Sequence, residues 1–304
     1  MTNTPTVAVL PEAGLEVMRE AVSSAGAVAT DDPTEADALV WCDARAEALA
    51  AVLADAPHLR WVQLPFAGIE GFLGVIDTNR TWTCAKDIYG RDVAELALGL
   101  LIAGMRNIHR YVRASSWKPL DEKSLEGSSV VILGAGGIGA SLTRLLLPLG
   151  PKVTVVSRTG RPIEGATALA RKQAAASIAG ADAIVLAVPL TDETRGWVDV
   201  RFLSSMKPTA WLVNVARGSV VVTADLVAAL ERNEIGGAAL DVTDPEPLPD
   251  GHPLWGMDNV IITPHVANTV FLGVPRFISL VESNVRRFAA GEPLLGLVDP
   301  AAGY

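Results

Sequence analysis

The chain has 304 residues, a formal net charge of −9 at pH 7 and an apolar fraction of 50%. At roughly 100 to 200 residues for each domain, this length predicts two domains with cores of their own. The negative charge argues against a nucleic-acid partner, which needs a basic stripe, and the longest apolar stretch, near residues 96–105, is far shorter than the roughly 18 residues of a membrane span.

The N-terminus and the cysteines indicate the compartment. Residues 1–5 show no basic region leading into an apolar run, so the sequence predicts no signal peptide. Cys42 and Cys84 are too few and too isolated for a disulfide framework or a zinc site, and each is expected to be a small core residue. We therefore expect a cytoplasmic protein without a bound metal.

The first part of the chain alternates short apolar runs with helical patterns. Strands are predicted at residues 6–10, 38–41, 61–64 and 81–84, with helices at 15–23 and 47–54. This βαβ rhythm is typical of a parallel sheet. A long helix then starts at residue 93 and continues to about residue 110, and its broad apolar face suits a domain-spanning or dimer helix.

A second alternation begins at residue 130. Strands are predicted at residues 130–133, 152–157, 183–187, 210–214, 237–240 and 260–262, with helices at 166–177 and 223–231. The last helix, near residues 277–289, has no room in a closed six-strand unit. We therefore predict that the C-terminal stretch returns to the first domain, so that residues 1–92 with 270–304 form one discontinuous domain, residues 93–269 form the other, and a cleft separates them.

A glycine-rich turn joins the first strand of this second alternation to a helix. The turn contains Gly134, Gly136, Gly137, Ile138 and Gly139. In a G-x-G-x-x-G turn the backbone can approach a pyrophosphate, whose charge then lies at the positive end of the helix dipole. The alternative is tight strand-to-helix packing alone, but the turn follows a buried strand, opens a helix and precedes a second strand at the right distance. The motif therefore predicts a dinucleotide site.

The end of the following strand indicates which dinucleotide binds. Ser157, Arg158 and Thr159 stand where a carboxylate would hold the ribose 2′-hydroxyl of NAD. The rigid fork of an arginine suits a 2′-phosphate dianion, two hydroxyls lie beside it, and Arg161 is a weaker second cation. The alternative for Arg158 is a solvated surface arginine. We predict NADP(H) as the preferred cofactor, with NAD(H) as the alternative.

Three later strand ends carry a polar residue that packing does not explain: Arg217, Glu246 and His265. Ligands bind at the carboxyl ends of strands in an open parallel sheet. Reducing a 2-oxo acid needs a cation for the carboxylate, a proton donor for the carbonyl oxygen, and an acid that keeps the donor protonated and aimed. Arginine, histidine and glutamate meet these three needs in that order.

From residue 61 to the C-terminus the chain resembles the D-isomer-specific 2-hydroxyacid dehydrogenases. The matching stretches are VAE at 93–95, LGAGGIG at 133–139, VPLT at 188–191, NVARG at 214–218, LDV at 240–242 and TPH at 263–265. Within the family it is most similar to the NADPH-dependent glyoxylate/hydroxypyruvate reductases, in WKPL at 117–120, SRT at 157–159, EPLP at 246–249 and VDPAAGY at 298–304. The predicted fold class is α/β, with two doubly wound parallel-sheet domains, a Rossmann cofactor domain and a flavodoxin-like substrate domain.

The resemblance implies a role for each catalytic candidate. Arg217 would bind the substrate carboxylate and polarise the carbonyl, and His265 would be the general acid/base. Glu246 would be the partner of the histidine, in preference to Asp244, because the family glutamate immediately precedes a proline.

The resemblance also implies contacts to the cofactor and the substrate. The residues expected to line the nicotinamide and its ribose are Val188, Pro189, Val215, Ala216 and Asp241, and Thr194 is expected near the phosphates. Those expected to offer backbone N–H groups to the substrate carboxylate are Ala67, Gly68 and Ile69. Trp41 would face the cleft and Trp117 would reach the pocket of a neighbouring subunit, with core or interface packing as the alternative for each.

These expectations describe an oxidoreductase that transfers hydride from NADPH to a small 2-oxo acid such as glyoxylate or hydroxypyruvate, as a homodimer that associates through the 93–110 helix region. Two alternatives stay open. One is a reductase of a bulkier 2-oxo acid, because one methylene changes discrimination by only ~1 to 3 kcal/mol. The other is a dehydrogenase-like regulatory protein that binds nucleotide as a sensor.

Overall fold

The computed structural model describes residues 4–11 and 15–300. These residues divide into two compact units, one that runs to Tyr89 and resumes at Thr269, and one that covers residues 90–268. Each unit is built on a parallel sheet. Helices of the length and apolar character needed to cross a membrane do not occur in the described part of the chain.

The first unit contains a five-stranded sheet in the described residues, with the order β2-β1-β3-β4-β5. The strands are β1 (Thr6–Leu10), β2 (Val28–Thr30), β3 (Ala38–Trp41), β4 (Trp61–Gln63) and β5 (Thr81–Thr83), and the helices are α1 (Glu16–Ser24), α2 (Ala46–Asp55) and α9 (Val270–Ala290). All residues of β3 are buried, as expected for a parallel strand covered on both faces. The 2-1-3-4-5 order is the flavodoxin-like order, which confirms the predicted fold class of this unit.

The last helix supplies part of the core of the first unit. Phe277, Val281 and Val285 of α9 are buried in one cluster with Val7 and Val9 of β1. The prediction placed the start of this helix near residue 277, whereas α9 begins at Val270 and contains Pro275. Because a proline usually ends a helix, the sequence pattern predicted the helix only from the residues after Pro275 and missed its first turns.

A buried polar network fixes the C-terminal stretch to the first sheet. The side-chain amide of Asn284 donates to Gln63 Oε1 at 2.9 Å and to the carbonyl of Leu295 at 3.0 Å, and its oxygen accepts from the Leu295 N–H at 2.8 Å. Thr83 Oγ1 donates to the same Gln63 oxygen at 2.8 Å and accepts from the indole N–H of Trp61 at 2.7 Å. Because unpaired polar groups are costly in a core, this network specifies one position for the stretch after α9.

The second unit contains a seven-stranded sheet in its described residues, with the order β12-β11-β10-β9-β6-β7-β8. The strands are β6 (Ser129–Leu133), β7 (Lys152–Ser157), β8 (Thr167–Ala170), β9 (Ala183–Leu186), β10 (Trp211–Asn214), β11 (Gly237–Leu240) and β12 (Val260–Ile262). The helices are α3 (Gly90–Met105), α4 (Ile108–Arg113), α5 (Gly137–Leu146), α6 (Ala175–Gly180), α7 (Val200–Ser205) and α8 (Thr223–Glu231). Counted from β8, the order is the 3-2-1-4-5-6 order of a Rossmann fold with one further strand. The predicted class is again confirmed.

Two helix predictions in this unit are wrong. The helix predicted at 166–177 is instead the edge strand β8, which pairs with β7, followed by the short helix α6. The alanine-rich segment favours a helix by intrinsic propensity, but strand pairing at the sheet edge overrides that preference. The helix predicted to reach residue 110 ends at Met105, and α4 follows after Asn107, whose φ is +53°.

An ion-pair cluster at the amino edge of the second sheet provides a test of acid stability. The carboxylate of Asp182 accepts hydrogen bonds from the backbone N–H of Ser129 at 2.9 Å and from the ammonium groups of Lys123 and Lys207 at 3.0 Å each. Partial burial acts to raise the pKa of Asp182, but the N–H of Ser129 and the two lysines outweigh it and lower the pKa from its ordinary value of 3.8 to about 2.

We expect Asp182→Asn to lower the free energy of unfolding at neutral pH by about 1 to 2 kcal/mol, a figure that allows for solvent screening. A carboxylate with a depressed pKa stabilises the fold above its unfolded pKa, so the wild type should lose this contribution as the pH falls from about 4 towards 2. Urea unfolding of both proteins between pH 7 and 3 measures the effect. A wild-type advantage that stays constant as the pH falls below 4 would contradict this account of Asp182.

Candidate active site

The glycine-rich turn after β6 is shaped for close approach. Gly134 has a φ of +124°, and a Cβ there would collide with the carbonyl oxygen of Ala187. A Cβ at Gly139 would collide with the carbonyl oxygen of Gly134. Gly136 is the N-cap of α5, so the helix begins directly at the turn. A turn of this shape, opening onto a helix N-terminus at the carboxyl edge of the sheet, fits the pyrophosphate of a dinucleotide.

The predicted nucleotide-selecting residues form a tight turn at the end of β7. Ser157 Oγ accepts a hydrogen bond from the backbone N–H of Arg161 at 2.8 Å, which closes the turn. Arg158 and Thr159 are exposed. Among the described residues, the Arg158 guanidinium has no hydrogen-bond or ion-pair partner. The turn therefore presents a cation to solvent where a nucleotide 2′-phosphate is expected.

The loop after β9 is closed by a threonine hydroxyl. Thr194 is 9% exposed, and its Oγ1 donates to the carbonyl of Pro189 at 2.6 Å and accepts from the N–H of Thr191 at 2.8 Å. The hydroxyl thus shapes the loop that carries Val188 and Pro189. The phosphate contact expected for Thr194 stays a prediction.

The histidine and the glutamate are brought together at the carboxyl edge of the second sheet. His265 Nδ1 lies 2.6 Å from Glu246 Oε1, and the two side chains are 51% and 41% exposed. The other carboxylate oxygen of Glu246 accepts from the Thr243 N–H at 3.4 Å. A carboxylate at Nδ1 favours the tautomer with its proton there and orients the ring, which leaves Nε2 directed away from the pair.

The nearby aspartate is held elsewhere. Asp244 Oδ2 accepts from the hydroxyl of Ser219 at 2.6 Å, and its backbone carbonyl accepts from the hydroxyl of Thr223 at 2.6 Å. The structure therefore pairs His265 with Glu246 and uses Asp244, which also precedes a proline, to connect two loops.

Arg217 follows β10 in a loop fixed by its neighbours. Asn214 donates to the carbonyl of Arg217 at 3.0 Å and accepts from the Ala216 N–H at 3.0 Å. Arg217 Nη1 donates to the Ala216 carbonyl at 2.8 Å. A Cβ at Gly218 would collide with the backbone of Thr243, so this loop packs directly on the loop after β11. The arginine and the His265–Glu246 pair therefore lie at the ends of three adjacent strands, β10, β11 and β12.

Asp241 has a role that the sequence did not reveal. Its Oδ1 accepts from Thr263 Oγ1 at 2.6 Å and from the Val266 N–H at 3.0 Å, and its Oδ2 accepts from the Ala267 N–H at 3.0 Å. These bonds fix the turn in which His265 adopts a φ of +53°. The one feature of the sequence that could have indicated this role is the position of Asp241 directly after a buried strand. The nicotinamide contact expected for Asp241 stays a prediction.

The remaining candidates are described within their own units. In the first unit, Ala67 is exposed, Gly68 is half-buried and Ile69 is buried in the core, and their contact with a substrate carboxylate stays a prediction. Trp41 is 2% exposed in the same core, which favours the packing alternative for this residue. In the second unit, Trp117 is fully exposed after α4.

Comparison with known proteins places the chain in a family. The family model described as "D-isomer specific 2-hydroxyacid dehydrogenase, NAD binding domain" matches residues 97–267. The chain is 33% identical over 219 residues to glyoxylate/hydroxypyruvate reductase A of Serratia proteamaculans (strain 568), a match that covers 70% of this chain and 69% of that protein.

Solved structures give the same result. A D-isomer specific 2-hydroxyacid dehydrogenase from Xanthobacter autotrophicus Py2, in complex with NADPH and MES, is similar with a TM-score of 0.87 and 30% identity, over 99% of this chain and 100% of that one. An NADPH-dependent glyoxylate/hydroxypyruvate reductase from Sinorhizobium meliloti, in complex with NADP and sulfate, is similar with a TM-score of 0.84 and 26% identity, over 99% and 100% of the two chains.

Proposed function

The chain belongs to the D-isomer-specific 2-hydroxyacid dehydrogenases, and we propose that it transfers hydride from NADPH to C2 of a small 2-oxo acid such as glyoxylate or hydroxypyruvate. The observation that carries the proposal is the pairing of His265 with Glu246 at 2.6 Å, in the same sheet as the glycine-rich turn. The names of the Serratia and Sinorhizobium relatives support the substrate class, and the NADPH and NADP in the two similar structures support the cofactor.

The residues present fit such a cofactor. The backbone at the start of α5 is accessible to a pyrophosphate because Gly134, Gly136 and Gly139 have no side chains. Arg158 would pair with the 2′-phosphate. NADPH, when bound, supplies the hydride. Val188 and Val215, at the ends of β9 and β10, would contact the nicotinamide half.

Each catalytic residue has one task in the proposal. The guanidinium of Arg217 binds the substrate carboxylate and polarises the adjacent carbonyl. His265 donates a proton from Nε2 to the carbonyl oxygen as that oxygen gains negative charge. Glu246 holds Nδ1 of the imidazole and stabilises its protonated form.

We also propose the roles of the two units and the assembly. The unit of residues 90–268 binds the dinucleotide, and the other unit is the substrate domain. Two copies associate through the 93–110 helix region and the segment after it. The apolar side chains of Ile108, Val112 and Trp117 are exposed there, and a dimer interface would remove them from water. Sedimentation should give about twice the 31.9 kDa mass of one chain.

The rate of oxidation of NADPH and of NADH, measured by the change in absorbance with each acid in a panel of 2-oxo acids, tests the proposed function. We expect faster turnover with NADPH than with NADH, and with glyoxylate or hydroxypyruvate than with phenylpyruvate or branched 2-oxo acids. Faster turnover of the bulky acids would identify the reductase of a bulkier substrate. Nucleotide binding without turnover of any acid would identify a sensor.

Arg158→Ala tests the cofactor assignment. We expect the variant to bind NADPH about ten- to a hundredfold more weakly, because one charge-assisted contact to phosphate is lost, while NADH binding stays unchanged. Arg201→Ala, which removes an exposed arginine of α7, is the matched control. A wild-type protein that prefers NADH, or an Arg158→Ala variant with unchanged affinity for NADPH, would overturn the assignment.

A further inference from the structure

A second arginine lies beside the nucleotide-selecting turn. Strand β8 pairs with β7 so that Ala170 is the register partner of Ser157. The residue that directly follows each strand is an arginine, Arg158 after β7 and Arg171 after β8, and neighbouring strands are about 4.8 Å apart. A Cβ placed on Gly160 would lie 3.1 Å from the backbone nitrogen of Ala170, so the two strand ends are in close contact.

The side chain of Arg171 is already held in place. Its Nη1 donates to the backbone carbonyl of Glu193 at 2.9 Å, and its guanidinium carbon lies 3.9 Å from the centre of the Trp197 ring. The side chain is 35% exposed. With the described residues, Nε and Nη2 of this guanidinium form no hydrogen bond. The side chain therefore presents further donors from a fixed position, so that little rotamer entropy remains to be lost on binding.

The charged residues within the two strand-end segments are all cations. Residues 157–161 and 170–173 contain Arg158, Arg161, Arg171 and Lys172 and no acidic residue, in a chain whose net charge is −9. The carboxylate of Glu193 lies 4.0 Å from Arg171 Nη1 and is 69% exposed, so solvent screens that contact. Such a concentration of cations favours a multiply charged anion.

We propose that Arg171 is a second cation for the 2′-phosphate of the adenosine half of NADPH and acts together with Arg158. The inference rests on the proposed function, since it extends the same nucleotide site to β8. Two guanidinium groups on adjacent strand ends offer several donors to a phosphate dianion, which carries three terminal oxygens. Arg171 would thereby select for the phosphorylated nucleotide.

Arg171 is a better second ligand than Arg161, which the sequence alone indicated. The Arg161 side chain is exposed, and among the described residues Arg161 is held by the donation from its backbone N–H to Ser157 Oγ, which closes the turn. Arg171 is instead pinned by Trp197 on one face and by Glu193 at Nη1. A pre-positioned arginine binds phosphate at a lower entropic cost than one that is free to rotate.

The test is calorimetric binding of 2′,5′-ADP and of 5′-AMP, which differ by the 2′-phosphate alone, to the full-length protein. Arg171→Gln keeps a polar side chain with an N–H donor but lacks the charge, and Arg171→Ala removes both. We expect Arg171→Gln to weaken 2′,5′-ADP binding about tenfold or more and to change 5′-AMP binding by less than about twofold. Arg201→Ala should change neither affinity.

Three results would overturn the assignment. If Arg171→Gln weakens both ligands equally, the residue acts on the adenosine or on the fold, and if it weakens neither, it does not contact the phosphate. Both results leave the NADPH proposal intact as long as wild type prefers 2′,5′-ADP and Arg158→Ala removes that preference. If wild type binds 5′-AMP as tightly as 2′,5′-ADP, the proposed NADPH preference itself fails, and the assignment of Arg171 fails with it.

Discussion

Arg217→Ala should lower kcat/KM for glyoxylate or hydroxypyruvate by about 10²- to 10⁴-fold. The reason is that the substrate carboxylate would lose its ion-pair partner, and the carbonyl would lose its polarising cation. Arg217→Lys should recover part of the loss, because an ammonium keeps the charge but not the planar fork that binds a carboxylate through two hydrogen bonds. Initial rates with NADPH measure both variants.

The binding of 2′,5′-ADP serves as the control for this variant. Arg217 Nη1 donates to the Ala216 carbonyl, and the surrounding loop packs on the loop after β11. The turn of residues 157–161, which is proposed to bind the 2′-phosphate, lies at the end of β7, three strands away from β10 in the sheet. Unchanged 2′,5′-ADP affinity with collapsed turnover would therefore locate the defect at the substrate. Near-normal turnover by Arg217→Ala would remove Arg217 from the mechanism.

His265→Gln should lower kcat by about 10²- to 10⁴-fold at neutral pH, because the carbonyl oxygen would lose its proton donor. Affinity for NADPH should be unchanged, since the residue acts on the substrate. Glu246→Gln should cause a smaller loss, because the imidazole remains but its protonated form loses the carboxylate 2.6 Å from Nδ1. Single-turnover rates after mixing with NADPH and substrate separate the chemical step from product release.

Asp244→Asn is the matched control for Glu246→Gln. Asp244 lies two residues away and is engaged by Ser219 and not by His265. We expect its substitution to leave the chemical step close to that of wild type. A loss in Asp244→Asn equal to that in Glu246→Gln would show that the loop, and not the carboxylate on the histidine, matters for the rate.

The sequence indicated the glycine-rich turn and the polar strand ends for a physical reason. Parallel strands bring their carboxyl ends to one edge, so residues far apart in the chain, such as Arg217 and His265, were expected to meet there. The alternation of strands and helices was strong enough to give both sheets. These patterns therefore predict the topology and the edge of the sheet at which ligands bind.

The missed features depend on tertiary contacts that have no local signal. β8 lies in an alanine-rich segment whose composition favours a helix. The sequence therefore did not indicate Arg171 either, because the role proposed for Arg171 depends on the pairing of β8 with β7. The bonds from Asp241 to the histidine turn run over more than 20 residues of chain. Trp41 ends a strand, and only the packed core shows that its side chain is buried.

The most direct test of the central claim is to follow the hydrogen atom itself. The reaction is run with glyoxylate or hydroxypyruvate and NADPH carrying deuterium at both C4 positions of the nicotinamide ring, and the label is located in the product by NMR. Our account predicts deuterium at C2 of the 2-hydroxy acid, with the D configuration when hydroxypyruvate is the substrate. An unlabelled 2-hydroxy acid, or no 2-hydroxy acid from any 2-oxo acid of the panel, would contradict it.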